Sequence, residues 1–239
     1  MPASFHSEIV VIITGASSGI GQQAAKIFTQ GGVKKFCLTS KFDLDQTQKL
    51  CLSVNDKVDF VIIKGDITKP ELREKIFKET IQKFGRVDIL INNAGVGTVG
   101  KILDITMDEY QEIFDVNVTA IVHLTKLCLS NLRKVKGNIV TTSSIAAHKS
   151  MPELGFYCMS KATLNMFTKI LAQEEGPNGV RVNAVSPGAT NTPFIASVGM
   201  KPDELMESVK TTYPIGRMAE PEEIAKVMVF LASDDASYM

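Results

Sequence analysis

Three side chains in the second half of the chain have the types and spacing for acid–base chemistry at a carbonyl or an alcohol: Ser144, Tyr157 and Lys161. Tyr157 and Lys161 lie four apart in a stretch that reads as helix, so they share one face and their heads can meet over a bound molecule. A free phenol ionises near roughly pH 10, too high for ready proton exchange at neutrality. A nearby ammonium favours the phenolate, so Lys161 is expected to pull the Tyr157 pKa down into a usable range. Ser144 stands thirteen residues before Tyr157, just past a predicted strand. Its hydroxyl can polarise a carbonyl or orient an alcohol. The Tyr-x-x-x-Lys spacing by itself serves equally as a packing pair on an amphipathic helix.

A second constellation sits near the start. The apolar, β-branched run Ile9–Ile13 reads as a strand buried on both faces. It leads into Thr14-Gly15-Ala16-Ser17-Ser18-Gly19-Ile20-Gly21, and Gln22–Gln30 then reads as helix. Strand, glycine-rich turn and helix together aim backbone N–H groups at a phosphate. The G-x-x-x-G-x-G spacing lacks the G-K-[ST] of a nucleoside-triphosphate loop. A glycine turn occurs in many α/β proteins, but its place after the first strand points to a dinucleotide.

The elements that must position these groups alternate along the chain. Strands are expected at 35–39, 58–63, 87–91, 138–142 and 180–185, with helices between them. Thr68-x-x-Glu71 and Thr106-x-x-Glu109 have the form of capping boxes, opening helices to about 84 and about 134. Such alternation implies right-handed crossovers and an α/β fold, a Rossmann-type doubly wound parallel sheet with helices on both faces, in one domain over 1–239. Ligands collect at the carboxyl ends of its strands, where Gly15, Asp66, Asn92, Ser144 and Pro187-Gly188 fall. Asp66 could accept from an adenine amino group or cap the next helix. Asn92 and Asn93 could bridge strands. Twenty-six basic residues balance twenty-six acidic ones, which gives no electrostatic case for nucleic acid or an anionic membrane. Cys37, Cys51, Cys128 and Cys158 have neither disulfide nor metal spacing, and no metal is expected. No signal peptide or run of eighteen apolar residues is read, so a cytoplasmic setting is expected.

At this point the sequence resembles the short-chain dehydrogenase/reductase family over nearly its whole length. The resemblance rests on Thr14–Gly21, Asp66, Asn92-Asn93-Ala94-Gly95, Val116-Asn117-Val118, Ser143-Ser144, Tyr157-x-x-x-Lys161 and Asn183–Thr192. It implies hydride transfer between a nicotinamide dinucleotide and a small carbonyl or alcohol substrate. Asn117, Ser144, Tyr157 and Lys161 match the family's catalytic positions: Tyr157 as acid/base, Lys161 lowering its pKa and bonding the nicotinamide ribose, Asn117 holding a water of the proton relay. Asparagine is a poor mid-helix residue, so a local kink is expected at Asn117. The implied cofactor contacts come from Gly15, Ser17, Ser18, Gly19, Ile20 and Gly21 on the first turn, and from Asp66 and Ile67. Further contacts are implied for Asn93, Ala94 and Gly95, for Tyr157 and Lys161, and for Pro187, Gly188, Thr190 and Thr192. Related chains continue with a threonine-glycine and a strand ending in Asp-Gly-Gly. This sequence stops at Ser237-Tyr238-Met239, so either a seventh strand is lacking or the sequence is a piece of a longer chain.

Cofactor choice turns on the end of the second strand, where an NAD site places an acid on the ribose hydroxyls. Here Ser40 and Lys41 stand in that place. A hydroxyl followed by an ammonium suits a 2′-phosphate, which favours NADP(H). NAD(H) stays possible if Asp43 curls back to the ribose. The stretch Pro193–Tyr213 lies where the family keeps a substrate loop; a helix packing on the core would read the same way and carries the larger weight. A homodimer or homotetramer is expected through the apolar helices at 106–134 and 154–174. The rival reading is a non-catalytic dinucleotide-binding regulator of the same fold.

Overall fold

The computed structural model describes residues 3–239. In chain order the elements are β1 (Val10–Thr14), α1 (Gly19–Gln30), β2 (Lys35–Ser40), α2 (Asp45–Val54), β3 (Asp59–Lys64) and α3 (Pro70–Phe84). They continue with β4 (Ile89–Asn92), α4 (Met107–Phe114), a π-turn over Asp115–Thr119, α5 (Ala120–Val135), β5 (Asn138–Thr142) and α6 (Gly155–Glu175). The last are β6 (Arg181–Val185), α7 (Phe194–Ser197), α8 (Pro202–Thr212) and α9 (Pro221–Ala232). All strand pairs are parallel, in the order β3-β2-β1-β4-β5-β6. The order reverses between β1 and β4, and a crevice opens there at the carboxyl ends of the strands.

Alternation along each strand builds two cores. Val11, Ile13, Phe36, Leu38, Ile89 and Ile91 face α1, α2 and α9, where they meet Phe28, Cys51 and Met228. Ile12, Cys37, Val61, Leu90 and Ile139 face the other way and meet Ile76 of α3, Leu124 and Cys128 of α5, and Leu171 of α6. Side chains of period two thus cover the sheet on both faces. Burial pushes the thiol of Cys37 up to about 12 and raises that of Cys128, which leaves both as small apolar core residues. By length and composition the helical stretch Met107–Val135 could cross a membrane. Its apolar side chains are already used inside the domain: Ile113, Ile121, Leu124, Cys128 and Leu132 are all buried.

The structure decides three local expectations. The capping box at Thr68 does not form. Pro70 occupies the first helical position and holds Lys69 extended as N-cap, so the start of α3 moves one residue on and Glu71 is too early to close a box. The box at Thr106 does form: its hydroxyl accepts from the Glu109 amide at 3.2 Å and the Glu109 carboxylate accepts from the Thr106 amide at 2.9 Å. The long helix expected to 134 runs to Val135 and carries a π-turn where the kink at Asn117 is expected, with Ala120 N–H donating to Asp115 C=O across five residues. Among the described residues the sheet has six strands. Beside its outer strand β6, the Asn183 amide donates to the Met239 carbonyl at 3.0 Å.

Candidate active site

Ser144 follows β5 in extended conformation and caps a short 3-10 turn, its Oγ accepting from the Ala146 amide at 3.1 Å. That bond fixes the oxygen and leaves the hydroxyl proton free to donate. The loop then returns to α6, whose first turn presents Tyr157 and whose second presents Lys161. The two thus meet as the four-residue spacing predicts, with Lys161 Nζ 5.6 Å from the centre of the Tyr157 ring.

The electrostatics differ from the expectation. Tyr157 keeps one edge open to the cleft, yet burial raises its phenol to about 12, opposed by a hydrogen bond with Ser144. Lys161 is only 3% exposed, and burial lowers its ammonium to about 8. Its Nζ donates to the Thr142 carbonyl at 2.8 Å. The expected lowering of the phenol by Lys161 is not seen: burial raises the phenol against the Ser144 hydrogen bond, and burial lowers the Lys161 ammonium as well.

Asn117 lies within the π-turn and is fully buried. Its amide oxygen accepts from Val96 N–H at 2.9 Å, and its Nδ2 donates to Val96 C=O at 2.9 Å and to Ser160 Oγ at 3.0 Å. Ser160 Oγ in turn donates to the Tyr157 carbonyl at 2.8 Å. Both Nδ2 protons are thereby engaged. The π-turn around Asn117 takes backbone carbonyls out of the regular helix ladder. A Cβ added to Gly95 would stand 3.4 Å from Asn117 Oδ1 and 3.5 Å from Lys161 Nζ, so Gly95 keeps open the space between the two residues. Ser160 and Thr142 are functional neighbours that motif spacing did not single out.

The other half of the cleft is built on the first turn. Gly15 has φ +65°, and a Cβ there would come within 2.9 Å of Ala94 Cα; at Gly21 it would come within 2.4 Å of Gly15 O. The glycines thus let the turns after β1 and β4 close on each other across the crevice. Ser18, the N-cap of α1, makes no side-chain capping bond, and the first turn of the helix contains no acid. Gly19 and Ile20 line the cleft at this uncapped end, which suits a pyrophosphate. Thr192 reaches across, its Cγ2 3.1 Å from where a Gly19 Cβ would be. Thr190 Oγ1 donates to Gly188 O at 3.0 Å and Thr192 Oγ1 to Thr190 O at 3.3 Å, while Pro187 O accepts from Ile145 N–H at 3.0 Å.

Several expected cofactor contacts have structural partners. Asn93 Nδ2 donates to Thr14 O and Gly15 O, both at 3.1 Å, and Asn93 Oδ1 accepts from Thr142 Oγ1 at 3.1 Å. The Asn93 side chain is therefore a strand bridge, as one reading of it held. Asn92 Nδ2 donates to Thr125 Oγ1 at 3.2 Å. Asp66 Oδ1 accepts from the amide and the hydroxyl of Thr68, each at 2.9 Å. It orders its own turn and does not cap α3. The Thr68 amide holds its carboxyl below the usual range, with Lys41 adding to the effect. Arg73, outside every motif, clamps the same turn: its Nη1 donates to Ile67 O at 2.8 Å and to Thr68 O at 3.0 Å, and its Nε donates to His123 Nδ1 at 2.9 Å. Ser40 Oγ donates to Ser17 Oγ at 2.8 Å, Lys41 is exposed at the rim, and Asp43 Oδ1 accepts from the Asp45 amide at 2.8 Å.

One cleft of about 950 Å³ is lined by Gly15, Asp66, Asn93, Ser144, Tyr157 and Lys161 together with Ile67, Ala94 and Gly95, while Gly21, Asn117 and Arg73 lie behind its wall. Over its far end lie α7 and α8. The expectation that 193–213 packs on the main core is corrected: Ile195, Val209 and Met218 form a small core of their own with Leu205 and Tyr213. Phe194, Ile195, Met200 and Leu205 also line the cleft. The Phe194 ring sits 5.7 Å from that of Tyr157.

Comparison with known proteins agrees with this geometry. The family model described as Enoyl-(Acyl carrier protein) reductase matches residues 15–239. The chain is 34% identical to meso-2,3-butanediol dehydrogenase of Serratia marcescens, over 96% of this chain and 89% of that protein. The crystal structure of levodione reductase superposes with a TM-score of 0.92 at 27% identity, covering 98% of this chain and 94% of that one. That of 3-ketoacyl-(acyl-carrier-protein) reductase from Brucella melitensis, complexed with NADH, gives 0.85 at 29% identity, covering 97% and 93%. With a six-stranded doubly wound sheet, an uncapped glycine-turn helix and a serine–tyrosine–lysine cluster on one cleft, this chain belongs to the short-chain dehydrogenase/reductase family of nicotinamide-dependent oxidoreductases.

Proposed function

We propose that this protein interconverts a carbonyl and an alcohol with Tyr157 as the acid/base. The observation that carries the reading is the convergence of Ser144, Tyr157 and Lys161 at one end of the cleft, with Asn117 behind them. Ser144, its oxygen fixed by the Ala146 amide, donates its proton to the substrate oxygen and polarises it. Tyr157 gives its proton to that oxygen in reduction and recovers it in oxidation. Lys161 holds the nicotinamide ribose and passes protons to the phenol side. Asn117 is a positioning residue: through Ser160 it fixes the start of α6 against the Val96 turn. A nicotinamide dinucleotide bound along the cleft supplies or accepts the hydride. The first turn of α1, the Pro187–Thr192 loop and the Asp66-Ile67 turn would hold it.

NADP(H) is the preferred form in this reading. Asp43 accepts from the Asp45 amide at the start of α2 and Ser40 is bonded to Ser17, which leaves the exposed Lys41 at the end of β2 to meet a 2′-phosphate. The chain acts as one catalytic unit in the cytoplasm, where its free cysteines stay reduced. Absorbance assays with NADPH and NADH over a carbonyl panel test the reading. Turnover should favour NADPH, and Lys41→Ala should weaken NADPH at least tenfold while NADH changes little. Equal losses for both cofactors would overturn the 2′-phosphate assignment. Turnover that survives Tyr157→Phe would overturn the acid/base.

A further inference from the structure

The substrate end of the cleft is walled by Ile145, Met151, Leu154, Phe194, Met200 and Leu205. Its hydroxyls are few: Thr98, Ser144, Tyr157, Ser197 and Tyr213. Ser197 Oγ donates to Phe194 O at 2.8 Å, and the Tyr213 hydroxyl accepts from the Ala189 amide at 3.2 Å. Ser144 and Tyr157 converge on a bound oxygen, while the Thr98 and Tyr213 hydroxyls, which also line the cleft, keep a proton for a neutral polar group. Among the described residues, the cations lining the whole cleft are Lys41 and Lys161. Lys41 follows β2 whereas Ser144 follows β5, three strand spacings away, or roughly 14 Å at about 4.8 Å each. Lys161 is buried beneath Tyr157 and donates to Thr142 O. The acids lining the cleft, Asp43, Asp66 and Glu112, supply no counter-charge for an anion.

From this arrangement we infer the substrate class: a neutral ketone flanked by apolar groups, or the matching secondary alcohol, with no carboxylate or phosphate near the reacting carbon. The inference rests on the oxidoreductase reading above and narrows it. An anionic group on that wall would lose its water without meeting a cation, which is costly unless a partner replaces the solvent. A neutral alkyl or ring group meets the opposite balance, because its apolar surface is covered by side chains that already face inward. Phe194, stacked at a tilt beside Tyr157, lies where it can close this apolar wall over the reacting oxygen.

Matched substrates that differ in a single group test the class. The intact protein with saturating NADPH is assayed on 2-heptanone against 6-oxoheptanoate, and on 4-methylcyclohexanone against 4-oxocyclohexanecarboxylate. The neutral member of at least one pair should be reduced with a kcat/KM at least tenfold above its charged partner. Met151→Arg, which puts a cation on the wall, should shift that ratio at least tenfold towards the carboxylate. Equal or faster reduction of the carboxylates by the wild-type protein would overturn the substrate class and leave the oxidoreductase reading standing. No oxidation of NADPH with any of the four, although NADPH binds, would overturn the oxidoreductase reading and this inference with it.

Discussion

At the scale of single residues the chemistry depends on two groups whose burial works against their charge. With its pKa near 12, Tyr157 holds its proton at neutral pH and stands ready as an acid. Carbonyl reduction should therefore run on a plateau between pH 6 and 8, whereas alcohol oxidation should climb as pH rises above 8; steady-state rates in both directions check this. Tyr157→Phe should lower kcat by about 10²–10⁴, the range of a lost general acid, and leave cofactor affinity unchanged by calorimetry. Lys161 bears on stability as well. Its folded pKa, about 8, lies below the ordinary 10.5, so between these values the unfolded chain binds the proton that the folded chain has released. Stability contributed by this residue is thus lowest below pH 8 and recovers as pH rises to 10.5. The gross penalty is about 3 kcal/mol at about 1.4 kcal/mol per pH unit. Lys161→Met removes that penalty and also the bond to Thr142 O, which offsets about 1–2 kcal/mol. Urea denaturation at pH 7 without cofactor should show a variant about 1–2 kcal/mol more stable, flat from pH 8 to 10 and inactive.

At the scale of elements, the site depends on how helices begin and break. The strand, glycine turn and helix were legible in the Thr14–Gly21 segment, but α1 starts at Gly19, three residues before the expected Gln22, and its lack of a side-chain cap was not read. The start of α3 was not legible, because Pro70 overrides the Thr68/Glu71 pattern and leaves the Asp66–Thr68 turn to be ordered by other groups. One of those groups is Arg73, buried under that turn and bonded to two of its carbonyls and to His123 of α5. Its guanidinium joins the Ile67–Thr68 turn at the rim of the cleft to the helix that follows the π-turn. Arg73→Ala should therefore raise the KM for the dinucleotide by about tenfold, the effect of about 1.4 kcal/mol, and leave kcat at saturating cofactor within about twofold. A drop in kcat with unchanged cofactor KM would remove Arg73 from this role.

At the scale of the molecule, the apolar faces named for assembly divide differently from the expectation. Ile113, Ile121, Leu124 and Leu171 are core residues. Met159, Met166 and Ile170 are the exposed apolar residues on α6, at spacings of seven and four that place them on one side of the helix. An exposed apolar stripe on a helix suits association with a second copy. Light scattering at micromolar concentration should give at least twice the chain mass, and Met166→Asp with Ile170→Lys should return it to a monomer. A wild-type monomer would contradict the assembly through α6.

The sequence by itself determined the alternation of elements, the parallel sheet, the glycine turn and the Ser144–Tyr157–Lys161 set, because each depends on residue type at short spacing. Period-two burial and four-residue helical spacing are local properties. Tertiary structure decided what depends on neighbours from distant parts of the chain. It raised the phenol instead of lowering it, since desolvation by packed side chains exceeds what the Ser144 hydrogen bond returns. It assigned Asn93 to bridging β1 and β5, and it occupied the Asn117 amide with Val96 and Ser160. It also set α7 and α8 over the cleft on a small core of their own. Apolar spacing shows that a helix has a face to bury; only the fold determines what that face meets.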